Sequence, residues 1–190
     1  MKRVALGFSV HTGWAALVAV SQTHEVVDRR RVEMIPGSDP EAPPFVYHAA
    51  RHLPLAKAER FLHGQQDLAR SRAREALQAM ARDFKLVAAA IPVGERPVTS
   101  PLASILANHS LIHAAEGVLY RQVIREALEE LKIDVCEIPT KQLTSRAAKV
   151  LKVSEPELVE QVVTTGRAAG RPWAKDQQQA FMAALIALAD

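Results

Sequence analysis

The chain has a single cysteine, Cys136, among 190 residues. That excludes an internal disulfide and fits a reducing cytoplasm, the expected location. Its seven histidines are scattered, and with one cysteine they show no zinc-type ligand spacing. No window approaches the length of a membrane span, so a membrane partner is not expected. No repeat at solenoid spacing is present, and only residues 36–44 (PGSDPEAPP) are compositionally biased. Charge is nearly balanced at +3, which allows an anionic partner without demanding one. An apolar content of 48% and a charged content of 24% are ordinary for a globular protein. At this length the expectation is one domain, residues 1–190, with room for a full core. Lys2-Arg3 before an apolar run resembles the start of a secretory signal. His11, Thr12, Gly13 and Trp14 interrupt that run, however, and no small-x-small site follows it.

What is present begins with VALGFSVHTGWAALVAV, residues 4–20. Two apolar runs, 4–10 and 14–20, flank a polar break containing Gly13, the pattern of a β-hairpin. The first run is almost continuously apolar, as a strand covered on both faces should be. A looser alternation over 25–35 suits an outer strand with a wet face, its arginines guarding the edge against another chain. Helical patterning follows over 45–83, broken before Pro54. Residues 85–91 read as an apolar strand ending at Pro92, 92–100 as a loop, and a helix of about thirty residues then reaches Leu131. A fifth strand is expected at 133–138, with helices around 140–151 and 155–164, a loop at 166–173 and a closing helix over 174–189. Hairpins make the first three strands antiparallel, and helical crossovers make the last two parallel. The expected architecture is a five-stranded mixed sheet of order 3-2-1-4-5 with helices on both faces. Its switch point between strands one and four opens a crevice at the carboxyl ends of strands.

This order, with LGFSVHTGWAAL in the first strand and DQQQAFMAALIALA in the last helix, resembles the ribonuclease H-like superfamily, and within it the RuvC-type Holliday-junction resolvases. The resemblance implies a three-layer α/β fold and two divalent metals, Mg²⁺ or Mn²⁺, held about 3.5–4 Å apart by roughly four acids. Carried over by position, it assigns Glu95 and Asp176 as catalytic and metal-binding acids. It finds Ser9 and Gln179 where the other two aspartates are expected, and His11 where the family has glycine. Each residue also has a plainer role open to it. Asp176 lies where the helix dipole stabilises a carboxylate, Glu95 sits in a polar loop, and Ser9 fits a tight strand.

Two further groups stand out. His113, Glu116, Gly117, Tyr120 and Arg121 share one helical stripe. There Glu116, a third catalytic candidate, and His113 would replace a missing ligand or base, or else form a polar seam with Glu116 paired to Arg121 or a lysine. Gly117 inside a helix suggests close approach by a backbone or ligand. Lys141, Arg146, Lys149 and Lys152, with Arg167, Arg171 and Lys175 around Trp173, suit phosphate contacts and base stacking, or a solvated face. Lys141, Arg146, Arg171, Trp173 and Lys175 are the nucleic-acid-binding candidates. The expected function is a RuvC-like nucleic-acid-processing protein, either a metal-dependent phosphodiesterase with a depleted acidic site or an inactive relative that binds nucleic acid or a protein. The resemblance also implies a homodimer. Actin-like kinases share the sheet order, but SVHTG lacks their acid and the chain is too short for their second lobe.

Overall fold

The computed structural model describes residues 1–37, 42–94 and 98–189. Strands β1 (Arg3–His11) and β2 (Trp14–Ser21) form the expected hairpin, in register from Val4 opposite Ser21 to His11 opposite Trp14. Its turn requires glycine: Gly13 has φ +81°, and a Cβ there would lie 2.7 Å from Pro44 Cβ. The Gly13 carbonyl accepts the N–H groups of Met34 and Ile35, fastening the hairpin tip to the chain leaving β3 (Val26–Glu33).

Strand β4 (Lys85–Val93) runs parallel to β1, and β5 (Val135–Pro139) runs parallel to β4. The sheet order is β3-β2-β1-β4-β5, as the sequence leads one to expect. One boundary differs, because β4 continues through Pro92, which pairs with Ile138. The last β1 partner on β4 is Ala90, opposite Gly7. Beyond it the strand has a neighbour on one side only, where a missing N–H is tolerated.

Helices α1 (Val46–Ala50) and α2 (Leu55–Asp83) are separated before Pro54, as expected. The thirty-residue helix is instead two, α3 (Leu102–Ala107) and α4 (His109–Glu130). Asn108 divides them. Its backbone is extended, and its side-chain oxygen accepts the Leu111 N–H at 3.1 Å, so it starts a new helix instead of continuing the old one. After a 3-10 turn, Thr140–Gln142, come α5 (Leu143–Leu151), α6 (Glu155–Ala169) and α7 (Lys175–Ala187). Helix α6 runs past residue 164 and through Gly166, whose missing side chain makes room for the Trp173 indole. A Cβ there would be 2.0 Å from Trp173 Cδ1.

Alternation along β1 sorts the layers. Val4, Leu6 and Phe8 enter the core with Leu77 and Met80 of α2 and Ile124 and Leu128 of α4. Ala5 faces the other core, with Leu143 of α5, Leu158 of α6 and Phe181 of α7. Small residues let α7 lie unusually close to the sheet. A Cβ on Gly7 would sit 1.8 Å from the Ala180 carbonyl oxygen and 2.4 Å from the Ala184 nitrogen. No helix among the described residues is long and apolar enough to cross a membrane.

Candidate functional site

Strand β1 places Ser9 and His11 on the α7 face, two and four residues beyond Gly7, at the strand's carboxyl end. Contact through Gly7 fixes the height of α7, and its first turn delivers Asp176 and Gln179 to the same spot. His11 Nε2 lies 2.8 Å from Asp176 Oδ1. The Ser9 hydroxyl has acceptors at 3.4 Å on Asp176 and 3.3 Å on Gln179 Oε1. Ser9 is buried, whereas the His11 and Asp176 side chains are 39% and 29% exposed. The structure thus unites Ser9, His11, Asp176 and Gln179 across 167 residues of sequence.

This is not a nucleophile–base–acid relay. Such a relay uses one imidazole nitrogen for the hydroxyl and the other for the carboxylate. Here the same Nε2 is 2.8 Å from Asp176 and 3.5 Å from Ser9. The outer face of His11 stacks on Trp14, with centroids 4.3 Å apart and planes 11° from parallel. The Arg31 guanidinium covers Trp14 at 3.7 Å and is ion-paired to Glu33. Carboxylate, imidazole, indole and guanidinium thus form one continuous array at the rim of the sheet.

The metal chemistry implied by the fold needs several hard oxygen ligands around each ion. The described residues do not fit it. Asp176 is the one carboxylate in the network, and its Oδ1 is taken up by His11 and approached by Ser9. Among the described residues, no three His, Cys, Asp or Glu side chains converge here closely enough to hold an ion. Glu95 lies outside the described residues.

Glu116 is elsewhere. It is 1% exposed, on α4 beneath α1, and its Oε1 accepts from His48 Nδ1 at 3.0 Å and from the His48 N–H at 3.3 Å. Its partner is a histidine of α1, not Arg121. Burial first, and then the Glu116 carboxylate, raise the phenols of neighbouring Tyr47 and Tyr120. The space at Gly117 is filled by the chain itself, since a Cβ there would meet Arg121 Nη1 at 3.2 Å. Arg121 borders a depression with Val93, Gly94 and Glu137. Burial lowers its pKa, and Glu137 opposes the shift.

The basic candidates divide by position. Lys175 opens α7 beside Asp176. Lys141 follows β5 in a turn anchored by Thr140 Oγ1 on the Val93 carbonyl at 3.0 Å, so it occupies the same carboxyl edge of the parallel strands. Arg146 lies on α5 with its guanidinium 3.9 Å from Cys136 Sγ. Arg171 and Trp173 belong to the segment before α7. The Trp173 indole N–H donates to the Val162 carbonyl at 2.9 Å, and its ring packs near Phe181, leaving an edge in an open depression shared with Arg167 and Arg171. Arg29 of β3 holds this segment by donating to the carbonyls of Gly170, Arg171 and Pro172.

The histidines that look scattered in sequence are not scattered in space. His48, His109 and His113 present ligand atoms within 4.8 Å of one another. The i, i+4 spacing of His109 and His113 is the sequence signal for half of this group. Nothing local marks His48 as the third member.

No protein-family model matches the chain, and no curated protein matches it in sequence. Solved structures are. The Thermus thermophilus RuvC in complex with a Holliday junction substrate superposes with a TM-score of 0.57 at 14% identity, over 97% of this chain and 91% of that one. A second Thermus thermophilus RuvC structure gives 0.53 at 12%, over 96% and 91%. At such identities the likeness is one of fold, and the chain has a RuvC-like, ribonuclease H-like fold.

Proposed function

We propose that this RuvC-like fold binds nucleic acid at the carboxyl edge of its parallel strands, and that it does so without two-metal cleavage. The observation that carries the reading is the seat between β1 and α7. Where the resemblance calls for acids, Ser9 and Gln179 stand in a hydrogen-bonded network that also engages Asp176. A seat of this composition holds itself together with hydroxyl, amide and imidazole groups. Among the described residues it offers one carboxylate, where a pair of Mg²⁺ ions requires several.

Nucleic acid as the ligand is supported by the solved complex of similar fold with a Holliday junction, and by what borders the seat here. Lys175 and Lys141 lie at the same edge, and the Trp14 ring is sandwiched between His11 and Arg31. Cations at that rim, Arg31 included, contact phosphates and release counterions. A hydrolytic reading has one observation in its favour, the half-exposed His11–Asp176 pair, an imidazole and a carboxylate open to solvent.

The test is a fluorescence-anisotropy titration of a four-way junction, a duplex and single strands of DNA and RNA, with and without Mg²⁺ or Mn²⁺. Metal-independent binding that weakens linearly with log salt is the expected result. A flat titration at low salt removes the nucleic-acid reading. Strand cleavage that disappears in Asp176→Asn replaces it with the hydrolytic one.

A further inference from the structure

A second constellation lies apart from the Ser9–Asp176 seat. We propose that His48, His109 and His113 bind a divalent ion of the zinc class, with Glu116 as the positioning carboxylate behind His48. The three imidazoles meet edge to face, with centroids 4.7 Å (His48–His113), 5.2 Å (His48–His109) and 4.5 Å (His109–His113) apart. His109 Nε2 and His113 Nε2 face each other at 3.1 Å. Two imidazole nitrogens on one tetrahedral zinc, each about 2.0–2.1 Å from the metal, are themselves about 3.3 Å apart. The pair therefore already has the separation that a shared ion imposes. Helical i, i+4 spacing is what lets two histidines present adjacent nitrogens to one metal.

Glu116 is the independent observation. Its carboxylate is 1% exposed, and Oε2 has no hydrogen-bond partner among the described residues. Burying a carboxylate in this way is unfavourable unless positive charge or donors compensate it. Its Oε1 takes both the backbone N–H and Nδ1 of His48, which fixes the ring and leaves Nε2 with its lone pair. A carboxylate bonded to the far nitrogen of a metal-binding histidine raises ligand basicity and sets its tautomer. A cation on His48 would also offset the buried charge of Glu116 through the ring.

Imidazole ligands select zinc, cobalt or nickel over magnesium. His109 and His113 are exposed, so a fourth coordination position would be open to water. The ion would clip α1 to the first turns of α4. It would thereby hold the connection whose Pro44 carbonyl accepts the Tyr120 hydroxyl and whose Pro44 ring rests on Gly13.

The experiment uses the full chain without a histidine tag. Zn²⁺ is titrated by calorimetry, Co²⁺ by visible absorption, and the melting temperature is recorded with each. Expected are one tight equivalent, a four-coordinate cobalt spectrum and a metal-dependent rise in melting temperature. His109→Ala/His113→Ala, at exposed positions, should lose all three and fold as before. Glu116→Gln should weaken binding on the order of ten- to a hundredfold, and His24→Ala/His63→Ala should bind as the parent does. Equal zinc affinity and stoichiometry in the parent and the His109→Ala/His113→Ala variant would overturn the site. Unchanged affinity in Glu116→Gln would overturn the role of the carboxylate.

Discussion

Gly7 and Ala180 touch backbone to backbone, so closely that a Cβ on the glycine would lie 1.8 Å from the Ala180 carbonyl oxygen. This contact sets how deep α7 lies on β1, and Asp176 is one helical turn before it. Gly7→Ala must push α7 outward. The expected cost is about 1–3 kcal/mol or more in denaturant unfolding. The His11–Asp176 pair, 2.8 Å apart in the parent, should also separate, read as changed His11 ring chemical shifts by NMR at fixed pH. A variant with unchanged stability would show that α7 is not seated by this glycine.

Two helical glycines give opposite expectations. At Gly166 a Cβ would strike Trp173 at 2.0 Å, whereas at exposed Gly64 in α2 it would meet nothing within 4 Å. Gly64→Ala should therefore stabilise by roughly 0.4–1 kcal/mol through helix propensity and a less flexible unfolded chain. Gly166→Ala should destabilise despite the same propensity gain. It should also shift tryptophan emission as the indole leaves the Val162 carbonyl. Paired thermal melts with fluorescence decide both.

Both tyrosines, Tyr47 and Tyr120, have phenols raised above the ordinary value near 10, chiefly by burial and then by Glu116. Above that value the unfolded chain loses these protons before the folded one does. The unfolded state then binds fewer protons, and stability falls as pH rises. Below it the contribution is complete. In an alkaline titration, phenolate absorbance should lag free tyrosine and rise together with unfolding. Ordinary titration of the folded protein would contradict the burial of both rings.

The seat beside α7 should be convertible. Ser9→Asp/Gln179→Asp restores acids at the two positions where the resemblance expects them. That variant should bind Mg²⁺ measurably by calorimetry, where the parent shows no binding attributable to Asp176. The hard ion prefers the added carboxylates and has little affinity for imidazole, so the His48 cluster does not obscure the readout.

If Lys175 contacts a phosphate, Lys175→Ala should lower affinity for every nucleic-acid sequence alike and reduce the salt slope by about one. Asp176→Asn should tighten binding modestly, because it removes a negative charge from the same rim. Weaker binding in Asp176→Asn would place the carboxylate among the contacts instead.

The sheet order was legible because β1 and β2 advertise themselves by apolar runs around Gly13, and because β4 and β5 are short apolar segments between helices. Sequence alone also pointed to Ser9, Asp176 and Gln179 as neighbours, since the family's element order puts the first strand against the last helix. The breaks were harder. Asn108 divides a helix through a local cap whose effect depends on its backbone turning extended, and uniform helical patterning conceals that. Gly166 reads as a helix end until Trp173 is found occupying its face. The histidine group was hidden for a topological reason. His109 and His113 share α4, but His48 reaches them only through the packing of α1 on that helix, where Val46 and Ala50 are buried and His48 meets Glu116 from 68 residues away.

The union of β1 with α7 has a consequence for how the chain is made. Ser9 and Asp176 are 167 residues apart, so the innermost strand stays uncovered on one side until nearly all of the described chain has been synthesised. Closing so long a loop is slow compared with forming a hairpin or a helix. In the interval a ribbon of alanine, valine and glycine faces solvent, inviting association with other nascent chains.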